Sequence, residues 1–128
     1  MGHRSKEEKD AVTKAPGALE VPVPDPDDLW HPIAKRWYEA LAASGQSRFY
    51  EPSDWAAAQY AAEAMSRNLN AGQRFSAQLF TAIWSAMNDL LTTEGDRRRV
   101  RMELQRPTAG EADEGVTVLD DYRAALGG

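Results

Sequence analysis

The fold is decided by residues 30–55, which read WHPIAKRWYEALAASGQSRFYEPSDW, and by the two helical segments that follow them as far as Arg106. Residues 30–106 hold all four Trp, all three Phe and three of the four Tyr. Large apolar side chains supply most of the driving force for folding, so the core must form within this stretch. The sequence therefore predicts an all-α fold: a three-helix core with a long third helix, a flexible N-terminal arm and a C-terminal tail.

The helix boundaries are predicted from local signals. Pro32 and Pro52 are expected to start the first two helices, because proline is well tolerated at the first helical position. Ser44-Gly45 ends the first helix, and the third begins near Ser76. The connections at 44–51 and 68–75 are longer than the roughly three or four residues of a compact helix-turn-helix. The predicted core faces are Ile33, Trp37 and Leu41 in the first helix, and Trp55, Ala58, Ala62, Met65 and Leu69 in the second.

The third helix is predicted to be the most apolar. Its apolar residues spread over an arc of about 140° at 100° per residue, which is wider than the stripe of an ordinary surface helix. A core of this size has too little surface to cover so broad a face. We therefore predict a homo-oligomer that forms through the second and third helices. The residues expected at the oligomer interface are Leu79, Phe80, Ile83, Trp84, Met87, Leu90 and Leu91.

A cluster of arginines follows the third helix, within the sequence TEGDRRRVRMELQR of residues 93–106. Arginines at this density can contact phosphates, with an affinity that depends on salt. They can equally be a solvated helix end paired with nearby carboxylates. Arg48 lies in a loop between helices and is a further candidate, as is a short basic arm at the N-terminus. The residues predicted to bind DNA are Arg97, Arg98, Arg99 and Arg101, with Arg48, Arg4, Lys6 and Lys9 secondary.

Charge is distributed unevenly along the chain. The formal net charge is −5. Residues 15–29 and 107–128 each carry a net charge of −4, whereas residues 1–14 carry +1 and residues 30–106 carry +2. The acidic total therefore comes from the flanks, and it does not exclude a polyanionic partner for the central stretch.

The flanking segments differ from the core in composition. Residues 1–29 contain several prolines and few large apolar side chains, so they are predicted to form a flexible N-terminal arm. Residues 107–128 are predicted to be an acidic linker followed by a short helix. That helix is too short to be stable alone, so it is either a partner-binding peptide or a frayed tail. The side chains expected to bind the partner are Val118, Leu119, Tyr122 and Leu126.

Several classes of function are disfavoured by what the sequence lacks. There is no cysteine, and hence no disulfide, thiolate nucleophile or thiolate metal site. No apolar run reaches the roughly 18 residues of a membrane span. Neither a phosphate-binding glycine loop nor a histidine-based catalytic arrangement is visible. We expect a protein that is not an enzyme, needs no cofactor or metal, and does not bind membranes.

Four segments in order resemble the small terminase subunit of tailed bacteriophages, specifically of phages that infect actinobacteria. They are WHPIAKRWYEAL, SGQSRFYEPSDW, AEAMSRNLN and TEGDRRRVRMEL, and the resemblance covers roughly residues 30–106. The resemblance implies a homo-oligomeric ring that binds the packaging-initiation site of double-stranded phage DNA in the cytoplasm of the infected bacterial host. It also implies that the ring hands this DNA to the large terminase subunit, which carries the ATPase and nuclease and docks on the portal.

The chain departs from this family in one respect. Many small terminases bind DNA through an N-terminal helix-turn-helix, but the long connections predicted here do not match a compact one. Contact through a variant helix-turn-helix and contact through basic loops or the arginine cluster are both open. Two other functions are open as well: a dimeric phage or prophage DNA-binding regulator, and a structural adaptor or scaffold protein without DNA affinity.

Overall fold

The structure is a computed structural model, and it describes residues 12–106. Within these residues the chain forms four α-helices and two short 3-10 turns, and it contains no strand. The all-α prediction is confirmed for this part of the chain. The elements in chain order are α1 (Pro32–Ala43), a 3-10 turn (Gly45–Phe49), α2 (Pro52–Leu69), a second 3-10 turn (Gly72–Arg74), α3 (Ala77–Asp89) and α4 (Glu94–Arg99).

Both predicted proline starts are confirmed. α1 begins at Pro32, and the Nδ1 atom of His31 accepts a hydrogen bond from the Ile33 amide at 3.1 Å. α2 begins at Pro52, and the Asp54 carboxylate accepts a hydrogen bond from the Glu51 amide at 2.8 Å. These caps involve residues only two or three positions apart, which is why the sequence alone could reveal them.

The prediction of a long third helix is wrong. α3 ends at Asp89 after 13 residues, and the longest described helix is α2, with 18. The helical conformation is interrupted at Leu91, whose backbone is left-handed with a φ of 58°. Thr93 then caps a new helix, because its hydroxyl accepts a hydrogen bond from the Asp96 amide at 3.3 Å. This local cap competes with continuation of α3 and redirects the chain.

The hydrophobic core lies mainly between α1 and α2. α1 packs against α2, and α2 packs against α3. Four buried aromatic rings make successive edge-to-face contacts, with centroids 5.2 to 5.7 Å apart. We call these residues the aromatic core: Trp30, Tyr38, Trp55 and Tyr50. Fully buried alanines on both helices allow the backbones to approach closely around these rings.

The core face of α1 differs from the predicted one. Tyr38 and Ala34 are fully buried and Leu41 is nearly so, whereas Ile33 is 54% exposed. Tyr38 was not assigned to the core from the sequence, because an apolar stripe through Ile33 and Trp37 fits helical spacing equally well. The choice between the two faces is made by the rings of Trp30 and Trp55, which lie against Tyr38.

Part of the N-terminal segment lies against the core. Val21 and Val23 pack against its buried residues. The Tyr38 hydroxyl donates a hydrogen bond to the Pro24 carbonyl oxygen at 2.6 Å. The Ala18 amide donates one to the Glu51 carboxylate at 3.0 Å. The prediction of a flexible arm over residues 1–29 did not anticipate these contacts, since valines spaced two apart in a proline-rich segment carry no helical signal.

Candidate nucleic-acid interface

The arginine cluster sits on α4 and the turn after it. Thr93 and Asp96 fix the start of this helix through reciprocal hydrogen bonds, and the Asp96 side chain is buried in doing so. At the other end, the Met102 amide donates to the Arg97 carbonyl at 2.8 Å and the Arg101 amide donates to the Arg98 carbonyl at 2.9 Å. This pair of hydrogen bonds is a Schellman motif, which ends a helix in one defined geometry.

Arg101 occupies the left-handed position of that motif. Its φ is 60°, a conformation that glycine adopts far more readily than a residue with a side chain. The side chain is exposed, and it makes no ion pair within the described residues. A strained arginine at a place suited to glycine points to a function for its side chain.

Arg97 is held by the protein itself. One of its guanidinium nitrogens (Nη1) donates to the carbonyl oxygens of Leu91 and Thr92, at 3.0 and 3.2 Å. These carbonyls lie just beyond the end of α3, where helix geometry offers them no partner. The Tyr50 hydroxyl donates in the same way to the Leu90 carbonyl. Arg97 and Tyr50 therefore position α4 relative to α3.

The Tyr50 hydroxyl is also electrostatically coupled to this region. Burial raises the pKa of Tyr50 above its ordinary range, and the nearby Asp54 carboxylate raises it further, while Arg97 opposes the change. The neutral hydroxyl is the form that can donate to Leu90, so the raised pKa extends the pH range of this hydrogen bond further into the alkaline region.

Arg98 and Arg99 project into solvent. Arg98 pairs with Glu94 at 2.8 Å, with the two side chains 77% and 70% exposed. Arg99 lies 3.8 Å from Asp96 and its side chain is 62% exposed. The Arg98–Glu94 pair is exposed on both sides, and pairs of this kind contribute little to stability, so Arg98 can exchange its carboxylate for a phosphate at small cost. Asp96 is buried, but its 3.8 Å separation from Arg99 is long and leaves most of the Arg99 guanidinium open to solvent. Within the cluster, Arg97 positions α4, and Arg98, Arg99 and Arg101 are exposed and available to bind an anion.

A wide cleft of about 880 Å³ opens beside the cluster, and we call it the arginine cleft. One wall is the end of α1 with the start of the following turn, and the other is α4 with residues 101–106. Gln46, only 1% exposed, lies in the first wall with its Oε1 atom unpaired. The charged residues lining the cleft are Arg97, Arg98, Arg101, Arg106, Glu94 and Glu103.

The secondary DNA-binding candidates do not join the cluster in the structure. Arg48 is exposed in the first 3-10 turn, and it is absent from the lining of the arginine cleft. Its neighbour Phe49 is 72% exposed, whereas Tyr50 is buried in the aromatic core. Arg4, Lys6 and Lys9 lie outside the described residues.

The predicted oligomer interface divides into buried and exposed residues. Ile83 and Leu90 are 7% and 6% exposed, so they contribute to the fold of the subunit itself. Met87 and Leu91 are half-buried. The remaining three face solvent: Leu79 at 37%, Phe80 at 50% and Trp84 at 45% exposure.

Phe80 and Trp84 border an apolar groove of about 210 Å³. The predicted interface residues did not include the six that α1, α2 and the second connection add to it, because nothing in their local spacing shows that they meet α3. Phe80 lies between the rings of Phe75 and Trp84, with centroids 6.2 and 6.0 Å away. The groove is lined by Ile33, Trp37, Met65, Asn68, Leu69, Phe75, Phe80, Ile83, Trp84 and Met87.

The predicted partner-binding residues lie outside the described part of the chain; they are Val118, Leu119, Tyr122 and Leu126. Among residues 12–106, no group of His, Cys, Asp and Glu side chains could hold a metal ion. No helix of that same stretch is long and apolar enough to cross a membrane.

Comparison with known proteins gives a consistent result. Residues 2–127 match the family described as phage terminase small subunit. The chain is 38% identical over 106 residues to the gene 5 protein of Mycobacterium phage D29, which covers 77% of this chain and 68% of that protein. It is 36% identical over 121 residues to the gene 5 protein of Mycobacterium phage L5, covering 84% and 78% respectively. No solved structure matches the chain.

Proposed function

The chain belongs to the phage terminase small subunit family, and we propose that it binds the packaging-initiation site of phage DNA as a homo-oligomeric ring. In this role it regulates the large terminase subunit, which supplies the ATPase and the nuclease. The protein acts in the cytoplasm of the infected bacterial host, and it needs neither catalysis nor a cofactor of its own. The large subunit, and with it the portal, would be the protein partners.

The observation that carries the DNA-binding proposal is the exposed arginine group on and after α4. Arg98, Arg99 and Arg101 lie within four positions, and a defined helix end presents all three. Within the described residues, Arg98 has an exposed ion pair with Glu94, Arg99 has a long contact of 3.8 Å with the buried Asp96, and Arg101 has no ion pair. A duplex offers closely spaced phosphates that can replace such pairs and release counterions on doing so.

Arg97 has a different part in this proposal. Its guanidinium already satisfies two backbone carbonyls, so removing it would disturb the junction between α3 and α4. We assign it to positioning the other three arginines. This refines the prediction that all four contact DNA directly.

Ring assembly is proposed to use the apolar groove and the row of exposed side chains along α3. The exposed Phe80 and Trp84 would lose contact with water when a second subunit covers them. Ile33 and Trp37 of α1 line the same groove. The proposed interface would therefore extend beyond the apolar face of α3. Contact with the large subunit is assigned to Val118, Leu119, Tyr122 and Leu126.

Arg101→Gly provides the sharpest test of the DNA contact. The substitution removes the charge while placing glycine where the backbone is left-handed, so we expect the fold to be kept or slightly stabilised. Binding of a duplex from the packaging region should weaken. The slope of log affinity against log salt should fall by about 1 for each subunit that contacts a phosphate through this residue.

The matched control is Arg36→Gln with Arg67→Gln, two exposed arginines on α1 and α2. Fluorescence anisotropy titrations at several salt concentrations would compare Arg101→Gly, the double variant Arg98→Gln with Arg101→Gly, and this control. An unchanged salt slope in the cluster variants would contradict the assignment. So would an equal loss in the control, because binding would then reflect overall charge.

A further inference from the structure

The arginine cleft has a feature that DNA binding does not require: the chain leaves it directly into an acidic segment. Arg106 is the last described residue, and it lines the cleft. Pro107 follows, and then the sequence TAGEADEG carries three carboxylates with no basic residue. We propose that Glu111, Asp113 and Glu114 of the same chain occupy the arginine cleft and compete with DNA for its arginines. This inference rests in part on the proposed function.

Charge complementarity supports this occupant. Four arginines and two glutamates line the cleft, so its lining is net positive. The segment 107–128 has five acidic residues against Arg123 alone. Of the cleft arginines, only Arg98 has a carboxylate partner among residues 12–106, and that pair with Glu94 is largely exposed. A carboxylate group from the adjacent segment can therefore pair with Arg101 and Arg106 without first breaking a strong interaction.

The tether is short enough to favour contact within one chain. Glu111 lies five positions after Arg106, and an extended chain of that length reaches at most about 17 Å. Gly110 lies within this stretch, where a reversal of direction is easily made. Short flexible tethers give effective concentrations in the millimolar range, so weak ion pairs suffice for substantial occupancy.

The consequence is selectivity by competition. A segment that mimics phosphates would suppress binding to arbitrary DNA, where only phosphate contacts are available. It would be displaced where a packaging site offers additional contacts. Because the competing segment is Glu111–Glu114, it leaves Val118 and the residues after it free for the proposed large-subunit contact.

A disulfide-trapping experiment tests the contact without DNA. The chain contains no cysteine, so an Ala43→Cys, Ala112→Cys pair would be the only thiols in the full-length protein. Ala43 is exposed and lines the cleft. We expect a disulfide within one chain to form several-fold faster for this pair than for an Ala56→Cys, Ala112→Cys control, in which the first thiol lies on an exposed part of α2. High salt, or E111Q/D113N/E114Q, should remove the difference.

Equal rates for the two pairs would overturn the proposal, and so would a disulfide that forms only between chains. Either result can be told apart from a failure of the proposed function, because no DNA is present. If the disulfide forms as expected but the protein does not bind DNA, the contact between the acidic segment and the arginine cleft is supported and the proposed DNA binding is contradicted.

A second experiment measures DNA binding by two variants that each lose three negative charges. E111Q/D113N/E114Q should tighten binding of a duplex of random sequence. E20Q/D25N/D27N is the charge-matched control, because it alters three carboxylates of the N-terminal flank. If the segment fills the cleft about four-fifths of the time, its release tightens the apparent Kd about fivefold. Equal tightening by both variants would show that only net charge matters, and it would overturn the competition.

Discussion

Two groups of aromatic side chains in this subunit have the same chemistry and opposite surroundings. In the aromatic core, Trp30, Tyr38, Trp55 and Tyr50 are each at most 8% exposed. Along the apolar groove, Phe75, Phe80 and Trp84 are between 45% and 50% exposed although their rings lie close together. The first group has every neighbour it needs within one chain, and the second does not.

Polar atoms show the same contrast. In the aromatic core, the Trp30 indole N–H donates to Glu63 at 2.7 Å, and both tyrosine hydroxyls donate to backbone carbonyls. In the groove, the Nε1 atom of Trp37 is buried and has no hydrogen-bond partner among residues 12–106. Buried polar groups are nearly always paired in proteins. The aromatic core is therefore packed within one subunit, whereas the groove presents aromatic side chains that the proposed assembly would cover.

The largest effect is expected from Trp55→Ala. Removing this ring leaves a cavity between Tyr38 and Tyr50, and losses of this kind cost about 3–5 kcal/mol. Urea unfolding at fixed protein concentration measures the change. Tyr60→Ala is the matched control, because Tyr60 is 80% exposed on the same helix and should cost within about 0.5 kcal/mol. Similar losses for both variants would break the distinction between core and surface aromatics.

An intermediate effect is expected from alkaline pH, and it should involve the aromatic core alone. Burial raises the pKa of Tyr38 to about 12, and the Asp25 carboxylate adds to the shift. The unfolded chain has a tyrosine pKa of about 10. Because the folded value is the higher one, this stabilisation is fully present below pH ~10 and is lost as the pH rises towards 12.

The free energy of unfolding should therefore fall between pH 10 and 12, by on the order of 2 kcal/mol from Tyr38. In Tyr38→Phe this part of the decline should be missing, while Tyr60→Phe should keep it. Urea titrations across this pH range provide the measurement. A pH dependence in Tyr38→Phe equal to that of the original chain would mean that the hydroxyl is not buried.

The smallest effect on the fold of one subunit is expected from Phe80→Ser combined with Trp84→Ser. These side chains are half-exposed, so the helix content and the cooperativity of unfolding should be preserved. Assembly should nevertheless be lost, which circular dichroism and sedimentation would show together. Tyr60→Ser serves as the control for removing an exposed aromatic side chain elsewhere.

The distinction between local and long-range contacts explains what the sequence could predict. The starts of α1 and α2, the all-α class and the arginine cluster all depend on residues within a few positions of one another. The end of α3 depends on such residues only in part: Thr93 caps the next helix locally, but the Leu90 carbonyl is bound by Tyr50, 40 positions earlier in the chain. The choice of Tyr38 as a core residue likewise depends on Trp55. These contacts are set by packing and override local periodicity.

The candidate site was predictable in composition and not in detail. The sequence identified four arginines but could not show that Arg97 would be held by two carbonyls, or that Arg101 would take the left-handed position. Self-association was predicted through the second and third helices, and the contribution of Ile33 and Trp37 to the apolar groove became visible only with the packing of α1.

Light scattering tests whether this small terminase subunit assembles and, once assembled, recognises packaging DNA. The mass of the full-length protein would be measured at low and high salt, with and without DNA from the packaging region, beside the Phe80→Ser, Trp84→Ser variant. We expect a discrete oligomer larger than a dimer that gains mass with this DNA, and a variant that has dissociated. A dimer would favour a regulator instead, and an oligomer that ignores the DNA would contradict recognition of packaging DNA.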